Sequence, residues 1–579
     1  MYSKVIAGAV HAMNSCLLQV EVDISDGLPS FSIVGFVSGE VREAGERVRV
    51  ALKNYGIHLP PRRITVNLSP AEIPKRGIVI DLPVCVGLMV CLGILPENAT
   101  DDIVIAGELG LNGEIRPVRG ILSIVMEAKR QGYGTCIVPE ANLREGAVVQ
   151  DIKVIGVSSL DQLYDYLISP PEERDGIIAP LSIDVDHLLS KEPLPSSLDF
   201  ASVRGHTQVK KVMEIAAAGF HNVLLIGAPG SGKSMLAKCM PGIMPPLTPR
   251  EAVEITQIYS VAGLLEEGKS LITQRPFVAP HHSATRAALV GGGSIPSPGL
   301  ISLAHLGILF LDELPEFASA EIELLRQPLE DHEITIHRVQ GSYRFPARML
   351  LVAAANPCPC GYYPDANRCR CTPYQVRNYQ RKLSGPLLDR FDFSVGVQRV
   401  EAGVLQGAEH EETSAQIRGR VTMAAERQQH RFAGTKFLFN GDMDADAVQY
   451  FCRLDSRQER LMQMLYEQMQ MSARSYHKIL KMARTIADLE DRDKILERDL
   501  MMAASYRVPE GRNDNEEGGQ SIRMLAGPDR WDRRGNDRSA AQTRAGRGGD
   551  LSNAASGHAN DPASGVKAPL IRRQGGTFD

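Results

Sequence analysis

The sequence predicts an α/β protein whose main sheet is parallel and carries a phosphate-binding loop. Apolar, strand-like runs alternate with helical stretches and Gly/Pro turns over residues 201–395, which is the pattern of a parallel sheet. The segment GAPGSGKS, residues 227–234, follows one such apolar run and precedes a helical stretch. Residues 396–507 show only long runs of helical periodicity, so an all-helical domain is expected after the sheet.

Length and composition fit a soluble protein of several domains. A chain of 579 residues is too long for one core, so roughly two to four domains are expected. Hydrophobic residues make up 43% of the chain and charged residues 23%, which is ordinary for a globular protein. The net charge is 64 − 69 = −5, so any surface that binds nucleic acid must be local.

The sequence predicts a cytoplasmic protein without membrane association. The first residues, MYSKVIAGAVHAM, lack the features of a signal peptide. The most apolar segment, residues 82–96, is shorter than the ~20 residues of a membrane span and predicts a buried core helix. Scattered cysteines in apolar surroundings are typical of reduced cytosolic thiols; they are Cys16, Cys85, Cys91, Cys136, Cys239 and Cys452.

Residues 1–168 predict a compact α/β or α+β domain. RRITVNLSPA reads as a strand, residues 120–132 as a short helix, and GTCIVPE as a further strand. DDIVIAGELGLNGEIRPV predicts a hairpin with Asn112-Gly113 as its two-residue turn. Residues 169–200 are a linker by composition. Residues 508–579 are rich in Gly, Arg, Asp, Asn and Ala, so a disordered tail is expected there.

The strongest signal is the P-loop pattern G-x-x-x-x-G-K-[ST] between a strand and a helix. Its glycines let backbone N–H groups turn towards phosphates, and the helix N-terminus adds partial positive charge. Lys233 is expected to reach the β- and γ-phosphates, and Ser234 to bind Mg²⁺. The loop therefore predicts an ATP site that consists of Gly227, Ala228, Pro229, Gly230, Ser231, Gly232, Lys233 and Ser234.

Two further strand ends carry polar residues that suit the same site. ILFLDE places Asp312 and Glu313 after an apolar strand, where Asp312 can bind Mg²⁺ and Glu313 can polarise the attacking water. Alone such a pair is usually a solvated strand end, but after a P-loop it indicates a Walker B pair. MLLVAAAN ends in Asn356, which can orient water against the γ-phosphate because ligands bind at the carboxyl ends of parallel strands. Asn356-Pro357 also forms a turn, and both roles are compatible.

Two arginines complete the set of candidate site residues. Arg390 lies in GPLLDRFD, and Arg474 begins a helix in SARSYHKILKMARTIADL. Each offers a planar, permanently charged fork that suits phosphate. From the residues alone, a phosphate contact and a surface ion pair stay open for both.

Together these stretches resemble the YifB/ComM family of magnesium-chelatase-like AAA+ ATPases over about residues 1–507. The resemblance also rests on APHHSATRAALVGGG, LLRQPLEDHEITIHRV and IAGELGLNGEIRPVRG. It implies an ATP- and Mg²⁺-dependent core with a helical lid, assembled as a ring that is expected to be a hexamer. It also implies that Asn356 is sensor 1, that Arg390 is an arginine finger on the neighbouring subunit's nucleotide, and that Arg474 is sensor 2 in the lid.

The resemblance implies a motor that acts on DNA. Members of the family are described as helicases that drive branch migration during natural transformation, so single-stranded or branched DNA and recombination proteins are the expected partners. The chelatase relatives instead remodel a partner protein to insert Mg²⁺ into a porphyrin, and this is the alternative. No integrin-like metal-binding domain, as in full chelatase partners, is visible in the sequence.

The N-terminal region resembles the Lon protease domain but lacks its catalytic pair. The motif region GIVIDLPVCVG contains no serine, and Leu122 stands where the lysine belongs. Without nucleophile and base, peptide hydrolysis is not expected. The region is interpreted as a non-catalytic scaffold or as a module that binds DNA or a partner.

Two inserts are candidates for DNA contact. EITIHRVQGSYRFPARM predicts a β-hairpin before the MLLVAAA strand, and in related helicases such a hairpin faces the pore. Arg338 and Arg344 could then contact phosphates, although an ordinary surface hairpin stays open. The segment GGGSIPSPG is expected to form a second pore-facing insert.

The segment NPCPCGYYPDANRCRC contains a cysteine-rich loop, residues 358–371, with the spacing C-x-C-x₈-C-x-C. This pattern suits a tetrahedral S₄ zinc site, structural because no ligand position is left open, although C-x-C is tighter than the usual C-x₂₋₄-C. Disulfides are disfavoured in a reducing cytosol, and four unliganded thiols stay open. The candidate ligands are Cys358, Cys360, Cys369 and Cys371.

The loop and the following helix are basic, which suits DNA or a neighbouring subunit; they carry Arg368, Arg370, Arg377, Arg381 and Lys382.

Overall fold

The computed structural model describes residues 1–506 except 36–37, 71–78, 191–197, 294–295, 339–340 and 401–410. The described residues form a mixed α/β structure with two large sheets and three two-stranded hairpins. The proposed tail, residues 508–579, lies outside the described residues. No helix in the described ranges is long and apolar enough to cross a membrane.

The N-terminal region is built on a seven-stranded mixed sheet with the order β3-β4-β2-β1-β5-β8-β9. The β1–β2 and β2–β4 pairs are antiparallel, and the other neighbours are parallel. A small hairpin, β6–β7, lies beside the sheet. The strands are β1 Tyr2–His11, β2 Asn14–Ser25, β3 Ser30–Val34, β4 Arg63–Ser69, β5 Ile103–Ile105, β6 Glu108–Leu109, β7 Ile115–Arg116, β8 Thr135–Pro139 and β9 Lys153–Val157.

Helices pack on this sheet and continue into the predicted linker. Every residue of α2 is buried, which confirms the buried core helix predicted within residues 82–96. Residues 174–177 and 185–189 of the predicted linker are helical. The helices are α1 Gly39–Asn54, α2 Asp81–Cys91, α3 Ile121–Arg130, α4 Leu143–Gly146, α5 Leu160–Ile168, α6 Arg174–Ile177 and α7 Val185–Leu189.

The hairpin predicted around Asn112-Gly113 exists, but its two-residue turn is wrong. The Gly110 N–H donates to the Glu114 carbonyl at 2.8 Å, which leaves three residues in the loop. Gly113 closes this loop with φ +84°, the left-handed position that a three-residue loop requires. An Asn-Gly pair fits both loop lengths, so the dipeptide alone does not choose between them.

The second large sheet has five parallel strands in the order β11-β14-β17-β10-β18. The central strands β14 and β17 are fully buried, as expected for a parallel sheet covered on both faces, whereas the edge strands β11 and β18 are partly exposed. Two hairpins, β12–β13 and β15–β16, are inserted before and after β14. The strands are β10 Val223–Gly227, β11 Phe277–Val278, β12 Gly291–Gly292, β13 Ser297–Pro298, β14 Ile308–Leu311, β15 Glu333–Arg338, β16 Gly341–Pro346, β17 Leu350–Ala355 and β18 Phe393–Val397.

Helices surround this sheet and form the whole described region after β18, as predicted. Those around the sheet are α8 Thr207–Gly219, α9 Lys233–Cys239, α10 Pro249–Ala262, α11 Arg286–Val290, α12 Leu300–Leu303, α13 Ser319–Glu323, α14 Arg326–Asp331, α15 Pro373–Gln380 and α16 Gly385–Leu388. Those after β18 are α17 Ser414–Phe432, α18 Ala445–Phe451, α19 Ser456–Gln468, α20 Ala473–Leu489 and α21 Glu497–Ser505.

Polar contacts join the N-terminal region to α10 of the second region. The Gln257 side chain donates to the Ser123 hydroxyl at 2.9 Å and to the Met13 carbonyl at 3.1 Å. The Ser260 hydroxyl donates to the buried carboxylate of Glu145. These hydrogen bonds connect α3 and its surroundings to the helix that follows the P-loop helix α9.

Candidate nucleotide site and its surroundings

Three neighbouring parallel strands bring the predicted nucleotide residues to one edge of the five-stranded sheet. Strand β17 lies between β10 and β14 and pairs with both. The P-loop begins at the end of β10, Asp312 follows β14, and Asn356 follows β17. Because the carboxyl ends of parallel strands share one edge, the three sequence motifs converge there.

The P-loop backbone takes conformations that depend on glycine. Gly230 and Gly232 have φ values of +72° and +90°, which other residues adopt only with strain. A Cβ at Gly227 would lie 2.3 Å from the Val397 carbonyl oxygen, so that close approach also requires glycine. The Ser231 hydroxyl is buried and has no hydrogen-bond partner among the described residues. An unpaired buried hydroxyl in this loop suits an incoming phosphate oxygen.

Lys233 is the buried cation of the site. Its ammonium group donates to the carbonyls of Gly227 and Ala228 at 2.8 and 3.0 Å and to Asn356 Oδ1 at 3.1 Å. Burial lowers the pKa of Lys233, and the nearby carboxylates of Asp312 and Glu313 oppose that shift. The contact with Asn356 places the proposed sensor beside the phosphate-binding lysine.

Ser234 and Asp312 are also in direct contact. The Ser234 hydroxyl donates to Asp312 Oδ2 at 2.6 Å across 78 residues of sequence. A hydroxyl and a carboxylate side by side are oxygen ligands that Mg²⁺ accepts together with phosphate. Glu313 is exposed at the same edge and has φ +52°, an unusual value for a side chain of this kind.

Two residues that the motifs did not indicate also flank the P-loop. A Cβ at Gly232 would lie 3.6 Å from His206 Nε2, and one at Gly230 would lie 3.9 Å from Arg399 Nη2. His206 precedes α8 and Arg399 follows β18, so neither belongs to a local nucleotide motif. No local sequence pattern marks either residue as part of a nucleotide site.

Arg390 and Arg474 come together on one carboxylate. Glu330 Oε1 accepts from Arg390 Nη2 at 2.5 Å and from Arg474 Nη2 at 2.7 Å. Burial lowers the pKa of Arg390, while Glu330 opposes that shift. Arg390 Nε is buried and has no hydrogen-bond partner in the described part of the chain. The arginines line a cavity of about 400 Å³ with His477 and other residues of α20. The ion pair left open by the sequence is thus the arrangement observed in the single subunit.

This arginine cluster lies at the opposite edge of the sheet from the P-loop. The Asn222 side chain donates to the Arg390 carbonyl at 3.1 Å, and Asn222 comes directly before β10. The P-loop starts at Gly227, the last residue of that strand. Five residues of strand span about 16 Å. Both arginines therefore lie about one strand length from the P-loop of their own chain.

A buried ion-pair network supports the loop that carries Arg390. Lys478 on α20 donates to the carbonyls of Asp389 and Phe391 at 2.5 and 3.0 Å and lies 3.2 Å from Asp392 Oδ1. Asp392 also accepts from the Asn222 N–H at 2.9 Å. Burial alone would raise the pKa of Asp392, but Lys478 and His221 outweigh it and lower that pKa.

The hairpin arginines proposed for DNA contact are exposed. Arg344 on β16 has a side chain 73% exposed and lies 3.8 Å from Glu333 Oε1. Arg338 is exposed at the end of β15, and its Nη2 lies 3.5 Å from where a Cβ of Gly292 would stand. The two inserted hairpins are therefore adjacent. The hairpin predicted before the MLLVAAA strand is confirmed as β15–β16.

The four loop cysteines form one cluster. Their ligand atoms all lie within 4.8 Å of one another. The Sγ distances are 3.4 Å for Cys358–Cys360, 3.8 Å for Cys358–Cys369 and 3.6 Å for Cys360–Cys369. Of the other six cysteines, Cys16 is half-buried and the remaining five are buried at separate positions in the cores.

The position expected for a Lon-type lysine is apolar in this fold. Leu122 is fully buried, and its N–H donates to Glu145 Oε1 at 2.8 Å. Burial raises the pKa of Glu145, against the opposing hydrogen bonds from Ser260, Leu122 and Asn142. The neighbouring Ser123 bonds to α10. The residues around Leu122 therefore contact the second region through Ser123 and Glu145.

The parallel sheet, the P-loop, the acidic strand end and the asparagine at the next strand end define the class of the protein as a P-loop ATPase of the AAA+ type with a helical lid. Family comparisons agree: descriptions of magnesium chelatase, subunit ChlI, match residues 20–142 and 199–405, and the C-terminal description of that subunit matches residues 411–507.

Relatives match nearly the whole described chain. The uncharacterized protein YifB of Salmonella typhimurium is 39% identical over 501 residues, which are 86% of this chain and 96% of the relative. The competence protein ComM of Haemophilus influenzae is 38% identical over 516 residues, 88% of this chain and 97% of the relative. The chain therefore belongs to the YifB/ComM family of magnesium-chelatase-like AAA+ ATPases. A Lon protease of Haemophilus influenzae is 24% identical over 169 residues, 27% of this chain and 21% of the relative, in keeping with a Lon-like N-terminal region.

Proposed function

We propose that this protein is an ATP-driven hexameric ring motor and DNA helicase that promotes branch migration in recombination and natural transformation. The observation that supports assembly as a ring is that the P-loop and the arginine cluster lie at opposite edges of one sheet. The link to transformation rests on the similarity to the competence protein ComM. Cytoplasmic localisation and recombination proteins as partners belong to the same proposal.

The nucleotide chemistry follows from the residues at the carboxyl edge. ATP with Mg²⁺ supplies the phosphoryl group and the charge-neutralising ion. Lys233 and the P-loop amides hold the phosphates, and Ser234 and Asp312 hold the metal. Glu313 orients and polarises the attacking water, and Asn356 positions that water against the γ-phosphate. The Asn356 side-chain oxygen also accepts a hydrogen bond from the Lys233 ammonium group, so a shift of the lysine changes the position of Asn356.

Arg390 and Arg474 act on the neighbouring subunit's nucleotide. Since they lie about one strand length from their own P-loop, only a neighbour in a ring can present phosphates to them. Phosphate then competes with Glu330 for both guanidinium groups, and the unpaired Arg390 Nε gains a partner. An arginine supplied in this way makes hydrolysis depend on assembly.

DNA is held by the adjacent hairpins β12–β13 and β15–β16. The exposed guanidinium groups of Arg338 and Arg344 can contact DNA phosphates. A translocating motor needs such contacts because they do not depend on the base sequence. Residues 1–168 form a non-catalytic Lon-like scaffold in this proposal, residues 169–200 a linker, 201–395 the ATPase core and 396–507 the lid.

A second candidate is a protein-remodelling ATPase of the magnesium-chelatase type. It is favoured by the chelatase subunit descriptions, which cover most of the chain. The two candidates share the ATPase cycle and differ in what stimulates it. DNA stimulates a DNA motor, whereas a protein client stimulates a remodelling ATPase.

The test is ATP hydrolysis by the purified full chain with and without a four-way DNA junction. Strong stimulation by the junction, lost in Glu313→Gln, is expected, and strand exchange between labelled junction arms then follows. Good basal turnover with no stimulation by any DNA would overturn the helicase proposal and favour the protein-remodelling candidate.

A further inference from the structure

The spacing of the cysteine sulfurs matches a tetrahedral metal site. Four thiolates around Zn²⁺ at 2.3 Å have S–S edges of about 3.8 Å. The three measured edges, 3.4, 3.8 and 3.6 Å, are close to that value, and all four ligand atoms lie within 4.8 Å of one another. A disulfide needs about 2.05 Å, so the sulfurs are arranged around a common centre and not as bonded pairs.

Backbone amides support this arrangement. The Tyr363 N–H donates to Cys358 Sγ at 3.4 Å, and the N–H groups of Tyr362 and Arg370 hydrogen-bond to Cys360. Such amide–sulfur contacts orient thiolate ligands and reduce their charge. Arg370 lies between the last two cysteines, and its positive side chain suits the net charge of −2 that four thiolates and one Zn²⁺ carry together.

The loop is held by turn hydrogen bonds and by the cysteine cluster, without a helix or strand of its own. Residues 356–372 contain no helix or strand, and all of them are described. Cys358 is fully buried, whereas the other three cysteines are half-buried. A segment this short cannot bury enough apolar surface to fix its own fold, and metal binding then contributes directly to folding free energy.

The cysteine loop touches the P-loop at one tight contact. A Cβ at Gly361 would lie 2.3 Å from Pro229 Cδ and 2.6 Å from Pro229 Cγ. Gly361 follows Cys360 directly, has φ +82°, and donates its N–H to the Cys358 carbonyl at 2.9 Å. Only glycine combines this backbone conformation with so close an approach. The first cysteine pair therefore holds the residue against which the P-loop proline packs.

A second connection runs through the chain itself. Cys358 lies two residues after Asn356, and Gln380 on α15 donates to the Pro357 carbonyl between them at 3.1 Å. The cluster is thus attached to the P-loop through Gly361 and to the sensor position through Pro357. Asn356 contacts Lys233, and Pro229 belongs to the P-loop that carries Lys233, so both connections reach the candidate nucleotide site.

We propose that Cys358, Cys360, Cys369 and Cys371 bind one Zn²⁺ in an S₄ site, and that the metal-bound loop braces the P-loop through Gly361, so that metal occupancy sets nucleotide affinity. The inference rests on the proposed nucleotide site but not on the proposed action on DNA. With four protein ligands the zinc has no open position, so its role is structural and separate from the Mg²⁺ of hydrolysis.

The experiment measures zinc content and nucleotide affinity in the same samples of the full chain, without DNA. Cys371→Ser removes the last and most peripheral ligand, and Cys16→Ser is the matched control for a half-buried cysteine outside the cluster. Zinc is stripped from the wild type with a chelator, which is then dialysed away, and is restored with Zn²⁺. Cobalt(II) in place of zinc reports thiolate coordination through its visible charge-transfer absorption.

The expected result is one zinc per chain in the wild type and in Cys16→Ser, and loss of zinc in Cys371→Ser. Stripping is expected to weaken binding of a fluorescent ATP analogue about tenfold, which lies in the range typical of coupling between two binding sites. Added Zn²⁺ restores the affinity. Absence of bound metal, or a stripped protein with unchanged nucleotide affinity, overturns the proposal.

Gly361→Ala tests the contact with Pro229 separately. Weaker nucleotide binding with zinc retained supports the brace, as does weaker zinc binding, because coupling between two binding sites is reciprocal. Wild-type affinity for both ligands overturns it. If the wild type binds zinc but no nucleotide, the nucleotide site fails while the metal measurement stands, so the two failures are distinguishable.

Discussion

At the residue scale, Glu313 is the proposed group that polarises the attacking water. It follows Asp312 at the strand edge and is held in a left-handed backbone conformation. Glu313→Gln is expected to lower kcat by about 10²–10⁴, the contribution of a positioned general base, with ATP affinity nearly unchanged. Steady-state phosphate release and equilibrium binding of an ATP analogue measure the two effects.

The matched control is Glu316→Gln, an exposed carboxylate three residues further on. It lies 3.9 Å from Lys382 and outside the converging strand ends. Near-normal turnover is expected there. Equal losses in both variants would contradict a specific role for Glu313.

Asp392 is predicted to stabilise the fold in a pH-dependent way. Asp392→Asn removes one partner of a buried ion pair with Lys478 and is expected to cost about 3 kcal/mol in the free energy of unfolding near pH 7. Since the folded pKa of Asp392 is lowered, its stabilisation is fully present above about pH 4 and is lost as the pH falls further. Urea unfolding followed by circular dichroism at several pH values measures the difference.

The difference between wild type and Asp392→Asn should be constant from pH 7 to 5 and shrink below about pH 4. Asp389→Asn, a change in the same loop at a side chain without this ion pair, serves as the control. A difference that grows on acidification would contradict the proposed ion pair.

Sequence reasoning predicts which single residues come together where a local pattern marks them. Lys233 and Ser234 belong to the P-loop, and Asp312 and Asn356 follow recognisable strands, so all four were predicted and do converge. Glu330 was not predictable, because its arginine partners lie 60 and 144 residues away and no local pattern surrounds it. Contacts made only in three dimensions leave no trace in one sequence.

At the element scale, the β15–β16 hairpin is the testable DNA element. Arg338→Ala and Arg344→Ala are each expected to weaken DNA binding uniformly across sequences and to reduce the slope of log K against log salt by about 1. Titrations of labelled single-stranded DNA at several salt concentrations measure this slope.

The control is Arg130→Ala, an equally exposed arginine on α3 with a side chain 72% exposed. It should leave the slope unchanged. If all three variants behave alike, DNA contact is a property of net charge and not of the hairpin.

Elements with strong periodicity were predictable, and turn details were not. The buried helix α2, the β15–β16 hairpin and the helices after β18 appear as expected. The turn at Asn112-Gly113 did not, because the same dipeptide serves two- and three-residue loops. The choice is made by the surrounding pairing of Gly110 with Glu114, which the sequence does not encode locally.

At the scale of the whole molecule, the proposed action of the arginines between subunits predicts how mixtures of wild-type and variant chains hydrolyse ATP. Arg390→Ala is expected to lower kcat about 10³-fold, the smaller end of what an arginine finger contributes. Mixed with wild type, it should depress total ATP hydrolysis more than its share of subunits, because each defective subunit disables a neighbour's site. Turnover across a series of mixing ratios measures the curve.

Arg457→Ala, an 82% exposed arginine on α19, is the control for the mixing series. It should give a straight line close to wild-type activity. A straight line for Arg390→Ala as well would show that this arginine serves only its own subunit.

The arrangement of regions was harder to predict than the regions themselves. Two α/β regions and a helical one follow from composition and periodicity, but their contact does not. Gln257 reaches Ser123 and Met13 across 134 and 244 residues. No local pattern around Ser123 or Met13 indicates that these residues contact α10.

The pairing of Glu330 with both arginines has a consequence for concentration if these arginines act between subunits as proposed. In a single chain the carboxylate accepts from both guanidinium groups. The rate of ATP hydrolysis per chain is then expected to rise with protein concentration, because each complete site requires two chains. A dilution series of the purified protein is expected to show this rise.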